Sequence, residues 1–111
     1  MKNNKSEFYT YRITWSAEDQ EHVGLCAEFP SLSYLDKNID GALKGIMKLV
    51  ADVVKDIKKN NEEIPEPLSM KNYRGKFVIR ISPDKHRDLA IKALEQGISL
   101  NHYVSTKLAA F

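Results

Sequence analysis

The sequence predicts an α+β protein built from two small units. An early aromatic and β-branched stretch is followed by a long amphipathic helical pattern, which indicates a small sheet with one helix. Near residue 76 a shorter alternating stretch is followed by two further helical patterns. Prolines between these parts interrupt regular structure because each removes a backbone donor. The expected boundaries are residues 1–67 for the first unit, 68–75 for a linker and 76–111 for the second unit.

Length and composition limit the classes of protein. The chain has 111 residues, of which 42% are hydrophobic and 29% charged, as in ordinary globular proteins. A single cysteine, Cys26, cannot form an internal disulfide. No apolar stretch approaches the roughly 20 residues that a membrane-spanning helix needs, and the first residues lack the apolar core of a signal peptide. We therefore expect a cytoplasmic protein with no membrane partner and no cofactor.

The first unit is expected to contain a small antiparallel sheet. Residues Phe8–Trp15 and His22–Phe29 are rich in aromatic and β-branched side chains and predict two strands joined by a polar turn. Shorter strands are predicted at Leu32–Leu35 and around Leu68–Tyr73, the last returning to the same sheet. Strand alternation places one set of side chains on the face that is predicted to be core, namely Tyr9, Tyr11, Ile13 and Trp15.

One long helix is predicted to pack on this sheet. Apolar residues recur every three or four positions over about residues 38–60, and Asn38 can act as the N-cap. The helix is expected to end at Asn60 and Asn61. The predicted buried stripe consists of Ile39, Leu43, Ile46, Met47, Val50, Val53, Val54 and Ile57.

The second unit contains one strand that has no obvious partner. Residues 76–82 alternate and predict a strand, after which Pro83 opens a helix, Gly97 ends it and Ser99 caps another. A lone strand leaves both of its edges unpaired, and so small a unit buries too little apolar surface by itself. We therefore expect two chains to pair these strands antiparallel. The predicted dimer core is Phe77, Ile79 and Ile81.

The other face of such a paired ribbon would carry Lys76, Val78 and Arg80 from each chain. A two-stranded ribbon fits the major groove of DNA, and the planar guanidinium of Arg can bind guanine at two atoms. These three residues are therefore predicted to contact bases. Six basic and three acidic residues give a net charge of +3 over residues 76–111, which fits a polyanion partner but also an ordinary charged surface.

The order strand, helix, Gly, helix resembles the ribbon-helix-helix DNA-binding fold over residues 76–111. In that family, backbone amides at the start of the second helix anchor a DNA phosphate, which here implies Ser99, Leu100 and Asn101. The stretch GKFVIRISPDKHRDLAIKALEQGISLNHYV resembles, more specifically, the C-terminal domain of HicB-type antitoxins. Val78 departs from the family, because a polar residue is more usual at the middle base-facing position.

The first 67 residues are similar to the same family. They show an aromatic strand, an acidic turn, a strand that ends in EFP-x-L, an amphipathic helix and then IPEP. HicB proteins resemble a partial ribonuclease H fold at this end. The resemblance implies an antitoxin of a type II toxin–antitoxin pair. Its N-terminal unit would neutralise a HicA-like, mRNA-cleaving toxin, and its C-terminal homodimer would bind operator DNA and repress its own operon.

Two other hypotheses stay open. The first is a ribbon-helix-helix regulator whose N-terminal unit senses a small ligand. The second is a metal-dependent nuclease that uses carboxylates; the sequence disfavours it, because the first strand carries no carboxylate and the nearest ones lie in a turn. We therefore expect no catalytic residue, no metal site and no enzyme activity. Whether dimers pair further into tetramers is left open. The carboxylates considered were Asp19, Glu21, Glu28 and Asp36.

Overall fold

The structure, a computed structural model, describes residues 5–111. The chain divides into two compact units, Met1–Tyr73 and Arg74–Phe111. The described elements form a small antiparallel sheet and three α-helices, so the predicted α+β class is confirmed. Within the described range, no helix combines the length and the hydropathy that crossing a membrane requires.

The sheet of the first unit has three antiparallel strands, β1 (Tyr11–Ser16), β2 (Glu21–Cys26) and β3 (Ser33–Asp36), in the order β1-β2-β3. In the β1–β2 register Tyr11 lies opposite Cys26, and in the β2–β3 register Gly24 lies opposite Tyr34. The first strand begins later than predicted, because Lys5–Phe8 form a short 3-10 helix and the Tyr11 hydroxyl donates to the Ser6 carbonyl.

The long helix α1 spans Ile39–Lys59, close to the prediction. Asn38 is the N-cap residue, but its side chain makes no capping bond. Its backbone N–H instead donates to the Asp36 carboxylate at 2.8 Å. At the other end Asn61 adopts a φ of 58°, and the N–H of Glu62 donates to the carbonyl of Ile57 at 3.0 Å. This pattern satisfies carbonyls at the end of the helix, with Asn in the place usually taken by Gly.

The core lies between α1 and the sheet. It contains Tyr9, Cys26, Phe29, Ile46 and Val50. The Tyr9 and Phe29 rings meet edge to face, with centroids 5.2 Å apart.

The predicted buried stripe of α1 is partly wrong. The fully buried residues at its centre are Ala42, Ile46 and Val50, each four positions from the next, whereas Ile39 and Leu43 are exposed. The reason is a close approach of α1 to Gly24 in β2, which draws this one row of side chains onto the sheet. Trp15, also expected in the core, is 51% exposed.

The segment after α1 does not return to the sheet as a strand. Leu68–Met70 form a short 3-10 helix, so the predicted strand around Leu68–Tyr73 is wrong. Side chains hold this segment in place instead: the Tyr9 hydroxyl donates to the Pro65 carbonyl at 2.6 Å, and the Ser69 hydroxyl donates to the Phe8 carbonyl at 2.7 Å. The Leu68 N–H donates to the Glu28 carboxylate, so it is not available for hydrogen bonding to a neighbouring strand.

The second unit contains α2 (Pro83–Glu95) and α3 (Leu100–Ala109). The predicted cap at Ser99 is confirmed, and Ser82, which was not predicted as a cap, caps α2. The Ser82 hydroxyl accepts from Lys85 N–H at 3.1 Å, and the Ser99 hydroxyl accepts from His102 N–H at 3.0 Å. Gly97, with a φ of 68°, ends α2 because its left-handed backbone suits a residue without Cβ.

Few side chains of the second unit are buried. Ala93 and Tyr103 are the buried apolar residues of α2 and α3. Leu94 and Leu108, by contrast, are 80% and 53% exposed. Two short helices offer too little surface to cover them. The second unit therefore leaves large apolar side chains uncovered.

Candidate nucleic-acid interface

The segment that precedes α2 is neither helix nor strand in the single chain. The predicted strand at 76–82 is therefore not found here. A strand exists only through hydrogen bonds to a neighbour, and none of the described residues bonds to the backbone of residues 76–81. The end of the segment is fixed at Ser82, whose carbonyl accepts from His86 N–H at 3.0 Å.

The three residues predicted to form the dimer core are uncovered in the single chain. Phe77, Ile79 and Ile81 are 73%, 59% and 43% exposed. Large apolar side chains that follow one another at a surface are typical of an interaction site. The antiparallel pairing of this segment with that of a second chain stays a prediction.

The three predicted base-contacting residues alternate with these apolar ones along the segment. Lys76, Val78 and Arg80 are all exposed, Val78 to 89%. Neither Lys76 nor Arg80 forms an ion pair within the described part of the chain, whereas Arg87 of α2 is paired with Asp84 at 3.0 Å. Two unpaired positive charges therefore lie on this segment.

The predicted phosphate anchor lies at the start of α3. The Ser99 hydroxyl satisfies the amide of His102, and no described group accepts from the amides of Leu100 or Asn101. No acidic residue lies in the first turn of α3 to compete for these amides. Ser99 and Asn101 are exposed and Leu100 is half-buried. Free amides at a helix N-terminus are a general site for anions such as phosphate.

The carboxylates considered for a metal site have other partners. Within residues 5–111 no three His, Cys, Asp or Glu side chains group closely enough to hold a metal ion. Asp19 accepts from the Ser16 hydroxyl at 3.0 Å, and Asp36 accepts the backbone amide before α1.

Glu28 has the largest set of partners. Its carboxylate accepts from the Thr10 N–H at 2.9 Å, from the Thr10 hydroxyl at 3.1 Å and from the Leu68 N–H at 2.8 Å. Burial raises the pKa of Glu28, but hydrogen bonds to its charged form outweigh burial, so the pKa lies below its usual value. Glu28, in the loop after β2, thus joins the residue before β1 to the segment after α1, a role that no sequence pattern indicated.

The first unit also carries an open cavity of about 410 Å³. Sequence reasoning did not indicate it, because its lining comes from two strands and from the loop after β2. The lining residues are Thr10, Arg12, Leu25, Cys26, Ala27 and Pro30.

Comparison with known proteins gives one similarity. Residues 59–108 match the model of the HicB family, which is somewhat less than half of the chain. The matched range includes the exposed segment, α2 and nearly all of α3. Searches of curated proteins and of solved structures gave no match. The family match supports a HicB-type protein, the class to which the sequence is similar.

Proposed function

We propose that this protein is the antitoxin of a type II toxin–antitoxin pair and that it represses its own operon. The observation that carries the proposal is the bare apolar segment at residues 77–81, placed before two capped helices, within the range that the HicB family model matches. The match is consistent with an antitoxin at the level of the family. The contacts with DNA and toxin described below are our inference.

The DNA-binding step begins with pairing of two chains. Antiparallel pairing of residues 76–82 would give each backbone its missing partners and cover Phe77, Ile79 and Ile81 against the helices. Lys76, Val78 and Arg80 would then lie on the opposite face, directed at the base edges of the major groove. The amides at the start of α3 would hold a phosphate and fix the register of the ribbon on the duplex.

Binding to DNA from upstream of the protein's own gene tests this step. Replacing Arg80 by Ala is expected to weaken sequence-selective binding by about 1–3 kcal/mol, because a bidentate contact to guanine is lost. The matched control is Lys55→Ala, which removes an exposed positive charge from α1 in the first unit. Affinity measured across a salt series separates base contacts from phosphate contacts, since the phosphate contacts set the salt dependence. Equal effects of both variants would contradict the assignment.

The toxin-binding step is assigned to the first unit. If a gene beside this one encodes a short basic protein, co-expression of the two proteins tests this step. The proposal expects growth arrest by that protein alone and recovery when residues 1–73 or the full chain are supplied. Recovery that requires the second unit, or no growth arrest at all, would contradict the division of roles.

A ligand-sensing regulator is the second candidate, and the 410 Å³ cavity of the first unit favours it. Arg12 in its lining would suit an anionic small molecule. This hypothesis expects DNA binding that changes when a cell extract of small metabolites is added, and it expects Arg12→Ala to remove the change. DNA binding that ignores the extract would leave the antitoxin as the better hypothesis.

A further inference from the structure

Val78 differs from the other apolar residues of the exposed segment at 77–81. It is 89% exposed, more than any other of them. In an extended segment, alternation places it on the same face as Lys76 and Arg80. Neither of these cations has an ion-pair partner in the part of the chain that the structure describes. The proposed pairing of two chains covers the opposite face, so it gives no reason for an apolar side chain at this position.

The chemistry of these three side chains determines which base edges they can contact. Ammonium and guanidinium groups are donors, so Lys76 and Arg80 suit the two acceptors of guanine. Val78 has neither a donor nor an acceptor. Against a polar base edge it would displace water without replacing the lost hydrogen bonds, which is unfavourable. The apolar group that base pairs present in the major groove is the C5-methyl group of thymine.

The spacing of the segment assigns Val78 a base pair of its own. Residues two apart in a strand lie about 6.6 Å apart, and base pairs rise by about 3.4 Å along the duplex. Where the ribbon follows the groove, Val78 is therefore about two base pairs from those nearest to Lys76 and Arg80. Its side chain is short and stiff at χ1, so it contacts only the base edge directly beneath it.

We propose that Val78 is a specificity-determining residue that selects thymine by contacting its C5-methyl group. This inference rests on the proposed binding of operator DNA and names a base that this DNA must contain. Because a two-fold axis relates the paired chains, the operator carries two such thymines in symmetric positions, one for each Val78. Burial of each methyl group is expected to increase the affinity about fourfold.

DNA that lacks these methyl groups tests the contact. The duplex from upstream of the gene is prepared once with thymine and once with uracil, which lacks only the C5-methyl group. The wild type is expected to bind the uracil duplex about ten- to twentyfold more weakly, because two contacts are lost. Val78→Ser, which has no apolar tip, should bind both duplexes almost equally. The matched control, Val78→Ile, should keep the preference for thymine, and sedimentation checks that both variants keep the wild-type mass.

The outcomes separate this inference from the proposal on which it rests. A wild type that does not prefer the upstream duplex to a random duplex of equal length overturns both. Selective binding that is equally strong on the thymine and uracil duplexes overturns only the role of Val78. An equal loss for wild type and Val78→Ser also overturns that role, because another group must then contact the methyl groups.

Single base changes give a second test, within the stretch of DNA that the bound protein protects from nuclease digestion. Replacing its thymines by uracil one at a time is expected to weaken wild-type binding about fourfold at each of two symmetric positions. At those positions 5-methylcytosine should bind better than cytosine by a similar factor, because valine contacts the methyl group and no polar atom of the base. Losses without two-fold symmetry, or no gain from 5-methylcytosine, overturn the contact.

Discussion

At the scale of single residues, Glu28 illustrates a carboxylate that serves folding. Thr10 and Leu68 supply it with three hydrogen bonds, although 40 residues separate Leu68 from Glu28 along the chain. Such a carboxylate accepts stronger hydrogen bonds when it is charged than when it is protonated. This makes the first unit sensitive to acid through one side chain.

We predict that Glu28→Ala lowers the free energy of unfolding by about 1–3 kcal/mol at neutral pH, because two backbone amides lose their acceptor. The folded pKa is lowered from 4.5, so the contribution of the charge is present above that value and is lost as the pH falls through the folded pKa. Urea unfolding of wild type and Glu28→Ala at neutral pH measures this loss, and a comparison of wild type with Glu28→Gln at neutral pH and at about pH 3 isolates the effect of the charge. Their difference should shrink in acid.

Glu18→Ala, in the exposed turn between β1 and β2, is the control for removal of an acidic residue. It is expected to change stability by less than about 0.5 kcal/mol, as is usual for exposed sites. A difference between wild type and Glu28→Gln that is equally large at both pH values would show that the hydrogen bonds do not favour the charged form.

At the scale of elements, the contact between α1 and β2 depends on Gly24. A Cβ added there would lie 2.6 Å from the Ala42 carbonyl oxygen and 2.8 Å from a methyl of Ile46. These atoms belong to the backbone and to a fully buried side chain, so α1 would have to move away from the sheet.

We predict that Gly24→Ala lowers the free energy of unfolding by about 1–3 kcal/mol, as overpacking usually does. Gly45→Ala is the matched control. The atoms nearest to its methyl would be those of the Tyr34 ring, which is 41% exposed and can turn away, while Ala favours the helix by about 1 kcal/mol. Thermal unfolding followed by circular dichroism measures both. Equal losses would mean that α1 tolerates displacement at Gly24.

The sequence was sufficient to predict the limits of helices that begin and end at local capping residues. Pro83, Gly97 and Ser99 act on backbone groups within a few residues, and the helices begin and end as they predict. Exposure of Trp15 and Ile39 could not be predicted, because it depends on where α1 crosses the sheet. For the candidate site, alternation at 76–82 predicted the exposure of the basic residues, but the predicted strand would need a neighbouring strand, which local sequence does not specify.

At the scale of the whole molecule, the two units differ in how well each covers its own apolar side chains. The first unit has a sheet, a helix and a buried cluster. The second has two packed helices and an uncovered apolar segment before them. The proposed dimer should therefore depend on Phe77, Ile79 and Ile81. The proposed DNA contact should depend on the residues that alternate with them, Lys76, Val78 and Arg80.

We predict that Ile79→Asp abolishes both dimerisation through this segment and DNA binding, because charged side chains would be buried opposite each other. The matched control, Val78→Asp, places the same side chain on the neighbouring residue. It should leave the dimer intact and weaken DNA binding by repelling phosphates. Sedimentation and DNA affinity, measured on both full-length variants, separate the two effects. Identical behaviour of the variants would contradict the alternating faces.

The exposed stretch at residues 71–80 also affects susceptibility to proteolysis. Lys71, Arg74, Lys76 and Arg80 place four trypsin-type cleavage sites within ten exposed residues that form no helix or strand beyond the end of the 3-10 turn. Proteases need extended, accessible backbone, and the unpaired chain offers it without any unfolding. Strand pairing would remove the sites at 76 and 80 from the protease. Cleavage after Lys71 or Arg74 would separate the two units in either state, whereas cleavage after Lys76 or Arg80 would be specific to unpaired chains.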